Sequence, residues 1–582
     1  MTAAIRSRRA PPGLAWLAAP GVAFLALFFV YPVASLLLLS LGDPQTGDLS
    51  VASYKRLFTT DVYLRVLLIT FRISAQTALL SLALGYPLAY WLAGLPERRR
   101  GKALLLVVIP FWTSYLVKTF AWMIMLGRNG VVNTLLAGAG VIGEPLSLIN
   151  NEFGVLVGMV HTMIPLAVMT MLPVMISVDR RLVAAAQTLG ATPTQAFWLV
   201  YYKLSFPGVA AAGLLVFISS LGFFIVPAFL GGRQQTMLAQ LIITQITELL
   251  NWSFAGALAM LMLIAALVAV ALYDRLFGMS SLAGGGGRGG GDGWLRRAGL
   301  KGLETAAAAA SVIAGAARTL LGPRLARLAL PAYGAAAIAF LILPTFLVVP
   351  IAFTSSQFLD FPPPGYSLRW FETYFGSPLW IAATLRSFGV AAMTAMFATA
   401  LGAAAAIAMA NSRGRWSGAL FALFLAPMIV PRIVIALGMF YLFARLGLVA
   451  TNLGLVIGHT VLALPFVVVT ISAVLKTYDM RLDQAAATLG ADRKRILWFV
   501  TAPLIRGGLM AAFLFAFITS FDELTIAIFV SGGLATTLPK QMWDDMILQL
   551  NPTLAAVSTV VFLLVTTLLL LTETARRPRG TR

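Results

Sequence analysis

The stretch Asp179-Arg180-Arg181-Leu182-Val183-Ala184-Ala185-Ala186-Gln187-Thr188-Leu189-Gly190-Ala191 recurs 300 residues later as Asp479-Met480-Arg481-Leu482-Asp483-Gln484-Ala485-Ala486-Ala487-Thr488-Leu489-Gly490-Ala491, with nine positions identical and no gap. Such a match makes the chain a tandem duplication. Leu182, Ala185, Ala186 and Leu189 fall at i, i+3, i+4 and i+7, one stripe of a short amphipathic helix, and Leu482, Ala485, Ala486 and Leu489 repeat it. Each copy ends at a glycine, Gly190 or Gly490, a residue that lets a helix stop and turn. Apolar runs flank both copies, so the repeated element is a surface helix between buried ones.

Of the 582 residues 60% are hydrophobic and 11% charged, too little polar surface for a soluble chain of this length. The expected class is an all-α polytopic membrane protein. Runs long enough to cross ~30 Å of hydrocarbon lie near 14–41, 64–93, 103–126, 153–177, 208–230 and 254–277, then near 328–354, 381–410, 418–444, 455–475, 508–530 and 554–573. That is about 12 transmembrane helices in two six-helix repeats. An even number per repeat gives both the same orientation, a parallel pair about an axis normal to the membrane. The basic opening Ile5-Arg6-Ser7-Arg8-Arg9 precedes an apolar run too long for a signal peptide, so we expect a retained first span.

Cytoplasmic loops are enriched in Lys and Arg. With the N-terminus inside, 30 of the 42 basic residues fall on cytoplasmic segments and 8 outside, leaving Arg72, Lys118, Arg386 and Arg432 within spans. Both termini and both repeated loops are therefore expected in the cytoplasm. The formal charge of +21 then reports topology and attraction to anionic lipid heads, with no nucleic-acid partner implied. The chain has no cysteine and two histidines, which excludes disulfides and thiolate metal sites; we expect no metal and no catalytic residues.

Three units follow: a first repeat over 1–277, a linker over 278–327 and a second repeat over 328–582. The run Gly284 to Gly291 cannot hold a helix, and no Gly-Lys-Ser/Thr follows it, so it is a tether and not a phosphate loop. The apolar stretch 305–317 is too short to span and reads as an interfacial helix.

Charges at membrane depth are costly unless they face protein, water or solute. Asp522 and Glu523 sit inside a span where the first repeat has Gly222 and Phe223, so the negative charge is asymmetric. Arg432, Lys118 and Arg386 are their candidate partners. Phe111, Trp112, Phe120 and Trp122 are aromatics able to line a cavity for cation–π contacts. His161 and His459 precede Pro165 and Pro465 and are expected to bond backbone freed by those prolines. Met542 and Trp543, on an outer loop, are candidate contacts for an external binding protein or else interfacial residues.

The loops resemble those of permeases of binding-protein-dependent ABC importers, which carry Glu-Ala-Ala, three residues, Gly, and a later Pro. Here the matching residues are Ala184-Ala185-Ala186 with Gly190, and Gln484-Ala485-Ala486 with Gly490 and Pro503. Ile109-Pro110-Phe111-Trp112-Thr113, Asn133-Thr134-Leu135-Leu136 and Glu144-Pro145-Leu146 resemble the B-type permease of spermidine/putrescine importers. Leu464 to Thr470, Ser520-Phe521-Asp522-Glu523, Phe529 to Gly533 and Thr537 to Trp543 resemble its C-type partner. The departures are Ala184 and Gln484 for the motif Glu, Lys203 opposite Pro503, and Arg432 where polyamine relatives usually have an acid.

The resemblance implies a type I ABC importer permease fold in one fused chain. It implies two copies of a cytoplasmic ABC ATPase, which hold the ATP and Mg, a periplasmic solute-binding protein, and the bacterial inner membrane. Leu182, Ala184, Ala185, Ala186, Leu189, Gly190, Leu482, Gln484, Ala485, Ala486, Leu489 and Gly490 are then expected to form the ATPase-coupling helices. Asp522, Glu523, Arg432, Lys118 and Trp112 are expected along the translocation pathway. The expected solute is small and contains an amine, a polyamine first, with a zwitterion or anion as the alternative that Arg432 raises. A secondary transporter of 6+6 spans is the remote alternative, disfavoured because the repeated surface follows the fourth span of each half.

Overall fold

The computed structural model describes residues 16–42, 48–277, 328–411, 415–479, 481–533 and 535–576. The basic N-terminus, the linker 278–327 and its stretch 305–317 lie outside the described residues. In the first half the chain forms α1 (Trp16–Leu39), α2 (Asp61–Gly94), α3 (Glu97–Trp112), α4 (Tyr115–Leu126), α5 (Glu152–Ser177), α6 (Arg180–Thr188), α7 (Pro193–Leu221), α8 (Ile225–Leu230), α9 (Leu238–Thr247) and α10 (Trp252–Phe277). The second half forms α11 (Leu328–Ala352), α12 (Arg369–Gly376), α13 (Pro378–Asn411), α14 (Arg415–Ile429), α15 (Arg432–Leu446), α16 (Asn452–Thr477), α17 (Arg481–Thr488), α18 (Arg506–Phe521), α19 (Thr525–Val530), α20 (Leu538–Leu548) and α21 (Thr553–Arg576).

Among the described residues eight helices are long and apolar enough to cross a membrane, and three bent pairs raise that to eleven. Helix α21, with 24 residues, takes the place of the run expected near 554–573. The expected straight spans 103–126 and 418–444 are each broken: the chain turns by 92° between α3 and α4, and by 96° between α14 and α15. Proline causes the second break directly, because Pro431 leaves the preceding turn without an amide donor and holds an extended ψ of 132°. In the first, Thr113 and Ser114 are extended behind Pro110, and the Ser114 hydroxyl accepts from the Leu116 amide to restart the helix. The runs 208–230 and 508–530 are likewise interrupted, at Gly222 and Asp522, before short helices α8 and α19.

Helices α2, α5 and α7 pack together, and α13, α16 and α18 do the same in the second half. The centre of each group is α5 or α16, whose apolar windows are 72% and 78% buried against 28% for α1. Those two helices therefore form the core, and α1 lies at the periphery.

The first helix of each half packs on the other half. Helix α1 lies against α15, where a side chain at Gly438 would sit 2.8 Å from the Pro32 carbonyl oxygen. Reciprocally, α11 crosses to the first half. The Tyr333 hydroxyl donates to the Leu84 carbonyl at 2.5 Å, His161 Nε2 bonds the Leu341 carbonyl at 3.0 Å, and Phe340 lies 5.4 Å from Trp122.

Candidate functional site

The two repeated loops adopt one geometry. Asp179 accepts from the Arg181 amide and Asp479 from the Arg481 amide, both at 2.9 Å, so each helix starts on an aspartate cap. Each ends at a glycine with positive φ, +94° at Gly190 and +84° at Gly490, where any other L residue is strained. Neither α6 nor α17 buries a residue. Leu189 and Leu489 are 89% and 88% exposed, and Leu182 and Leu482 are half exposed. Ala184, Ala185, Gln484 and Ala485 are exposed beside them, with Ala186 and Ala486 partly covered. Two equivalent apolar stripes thus face outward.

The loops are fastened differently. In the second, Asp483 Oδ1 accepts from the Tyr478 hydroxyl at 2.5 Å and from the Thr501 hydroxyl at 3.1 Å. Burial, reinforced by Asp483, pushes the Tyr478 phenol up to about 12, so it remains a donor at neutral pH. In the first, the corresponding positions are Val178, Val183 and Tyr201. The two valines pack on the core and the Tyr201 hydroxyl donates to the Met175 carbonyl at 3.1 Å.

Between the halves lies a cavity of about 170 Å³. Phe111, Tyr115, Gly222 and Phe223 line it from the first half, and Pro431 and Arg432 from the second. Among the described residues Arg432 is the one charged residue in its wall. Among the described residues its guanidinium forms no hydrogen bond or ion pair; Asp522 and Glu523 act on it at longer range.

The other expected pathway residues lie around this cavity. Asp522 Oδ2 accepts from the Tyr115 amide at 3.4 Å, beside the Ser114 hydroxyl. Glu523 is buried and accepts from the Thr525 and Ile526 amides at 3.3 and 3.0 Å, capping α19. Lys118 is buried with Nζ 4.5 Å from the centre of the Tyr115 ring. Trp112 stacks on Phe515 at 5.0 Å and, with Asp522, borders a narrow crevice. Phe111 lines the cavity, whereas Phe120 and Trp122 are buried in the core.

Three expectations are corrected. Arg386 does not meet the acids: its Nε donates to Asn452 Oδ1 at 3.1 Å, because its helix position faces the start of α16. Arg72, one turn further along the corresponding helix of the first half, pairs with Glu152 at 2.7 Å. His161 and His459 ignore the backbone near their prolines and point across to Leu341 and to Ser520 Oγ (2.8 Å), since their rings project from the helix toward neighbours. Met542 and Trp543 are buried, with Trp543 5.3 and 5.1 Å from Phe224 and Phe229 of the first half, so they join the halves and offer no external surface. Tyr115 escaped the sequence reading; its signal was its place after Ser114, matching Arg432 after Pro431.

Residues 85–279 and 398–579 match the family model described as binding-protein-dependent transport system inner membrane component. The chain is 31% identical over 262 residues to the spermidine/putrescine transport system permease protein PotB of Salmonella typhimurium (strain SL1344), covering 44% of this chain and 90% of that protein. It is 29% identical over 226 residues to the corresponding PotC of Escherichia coli (strain K12), covering 39% and 85%. A solved bacterial alginate ABC transporter, in complex with alginate pentasaccharide-bound periplasmic protein, aligns with 44% of this chain and 91% of its own at 17% identity and a TM-score of 0.40.

Proposed function

Because the chain belongs to the binding-protein-dependent transport system inner membrane component family and carries its domain twice, we propose that it forms both halves of the transmembrane core of an ATP-driven importer. It is a permease and not an enzyme. The observation that carries this reading is the pair of outward-facing stripes, Leu182 to Leu189 and Leu482 to Leu489, set in identical capped loops on two halves that enclose a cavity. One stripe would be an ordinary surface helix; two at equal spacing fit a two-fold partner. In this reading α6 and α17 are coupling helices seated on two copies of a cytoplasmic ATPase, which bind ATP and Mg. Both termini face the cytoplasm, and a periplasmic binding protein delivers solute on the other side.

Transport proceeds by alternating access: ATP holds the halves in one arrangement and solute is released from the other. Such a cycle needs each ligand to bind the two arrangements unequally. Asp522 on the Tyr115 amide and Glu523 on α19 lie around the cavity, and Arg432 is in its wall. The solute is a small amine-containing molecule, with the likeness to PotB and PotC favouring a polyamine. The lone Arg432 charge in the cavity favours the second reading, a solute that also bears an anionic group.

The test is uptake of radiolabelled solute into right-side-out vesicles that enclose ATP and hold the chain and its ATPase, with the binding protein outside. ATP-dependent uptake that disappears when both stripes are altered supports the reading. Uptake that persists without any ATPase, driven by an ion gradient, overturns it in favour of a secondary transporter.

A further inference from the structure

Gly222 and Asp522 are repeat equivalents, and their backbones are nearly superposable. Each ends a long helix, with φ and ψ of −90° and 6° at Gly222 and −94° and 7° at Asp522. Each also meets the start of the broken helix contributed by the opposite half. Asp522 reaches the Tyr115 amide at the start of α4. A Cβ placed on Gly222 would lie 3.7 Å from the Arg432 amide nitrogen at the start of α15, and 3.4 Å from Pro431. The same contact is therefore built twice across the pseudo-two-fold axis, once with a carboxylate and once without. Where the carboxylate is missing, the cavity opens, and the side chain added there is a guanidinium.

We propose that the space over Gly222 binds an anionic group of the transported solute, a carboxylate, phosphate or phosphonate, against Arg432, in the position that Asp522 fills against Tyr115. This rests on the importer reading and names the substrate class of its cavity. A guanidinium presents a fork of donors that suits such oxyanions. Asp522 and Glu523 act on this charge at longer range but direct their oxygens to backbone amides, at Tyr115 and at the start of α19, which leaves the guanidinium donors for a solute. The amine of the solute then faces the aromatic wall of Phe111 and Phe223, where cation–π attraction operates; the Tyr115 ring already carries Lys118.

The experiment uses the full chain in phosphatidylcholine nanodiscs with no ATPase or binding protein, titrated with 3-aminopropylphosphonate or spermidine while its unfolding temperature is recorded. The phosphonate is expected to stabilise the wild type, and Arg432→Gln to weaken that response by roughly tenfold to a hundredfold, the loss of a charge-assisted bond. Gly222→Asp is expected to raise the unfolding temperature of the ligand-free chain, by pairing with Arg432, and to abolish the response. Gly222→Ala, whose methyl meets ordinary contact distances, keeps it. The proposal is overturned if the phosphonate gives no stabilisation up to about 10 mM, if Gly222→Asp leaves its binding unchanged, or if spermidine binds and Gly222→Asp strengthens it. Should Gly222→Asp fail to fold, the Arg432→Gln titration decides alone. Nanodiscs containing phosphatidylglycerol separate solute from lipid headgroup, and competition by that lipid would overturn the solute assignment. Because no ATPase is present, these outcomes stand apart from the importer reading, which falls on ATP-independent uptake.

Discussion

Replacing Leu189 and Leu489 with alanine tests the docking assignment most directly. In the chain itself both side chains are almost fully exposed, 89% and 88%, so truncating them removes no internal contact. The permease should keep its unfolding temperature, as surface substitutions change stability by within about 0.5 kcal/mol. In a seated complex nearly the whole of each side chain becomes available for burial. Losing about three carbons at ~0.8 kcal/mol each gives about 2 kcal/mol per loop, or roughly thirtyfold in affinity. The loops lie on separate halves, so the two effects should add, to about a thousandfold for the double variant. The assay is co-purification of the ATPase at graded concentrations, read alongside ATP hydrolysis and uptake in vesicles. Single variants should bind half-coupled ATPase with reduced uptake, and the double variant should lose both. Wild-type co-purification and uptake in the double variant would refute the assignment, because these two leucines are the most exposed apolar side chains of the two repeated loops.

Gly190→Pro or Gly490→Pro should uncouple hydrolysis from uptake without preventing membrane insertion, since proline cannot adopt the φ of +94° or +84° found there; normal uptake in both variants would remove the requirement for the turn. Asp483→Ala should loosen the second loop alone by about 1–2 kcal/mol, as the Tyr478 and Thr501 hydroxyls lose their shared acceptor, with hydrogen exchange of 481–488 as the measure. The purified chain should neither bind nor hydrolyse ATP, because its glycine-rich run lacks the lysine and hydroxyl of a phosphate loop; nucleotide-dependent protection in a filter-binding assay would contradict this.

The duplication, the loops and the membrane class were legible because they depend on local pattern: a 300-residue offset, an i, i+3, i+4, i+7 stripe and runs of apolar residues. The run 418–444 reads as one span although Pro431 lies inside it, and a turn of 96° depends on what receives α15 afterward, which no local signal encodes. The partners of buried charge were legible least. Asp522 meets an amide 407 positions away, and Arg386, equally charged and also within a span, meets Asn452. Composition says that such groups need partners; the packing of distant helices decides which ones. Trp543 illustrates the same limit, since an aromatic beside a membrane surface looks the same in sequence whether it faces water or fills a seam.

The exchange of α1 and α11 bears on how the protein is made. Helix α1 is synthesised first, yet its seat on α15 emerges only after residue 432. Until then the opening segment has an incomplete neighbourhood, and the first half also waits for α11 to cover His161 and Trp122. Final closure is thus a late event of long sequence separation, the kind that slows folding and leaves surfaces exposed in the interim. Keeping both halves on one ribosomal product shortens that wait and fixes their ratio at one to one. It also means that cutting the chain within 278–327 after closure leaves two fragments clasped by each other's first helix.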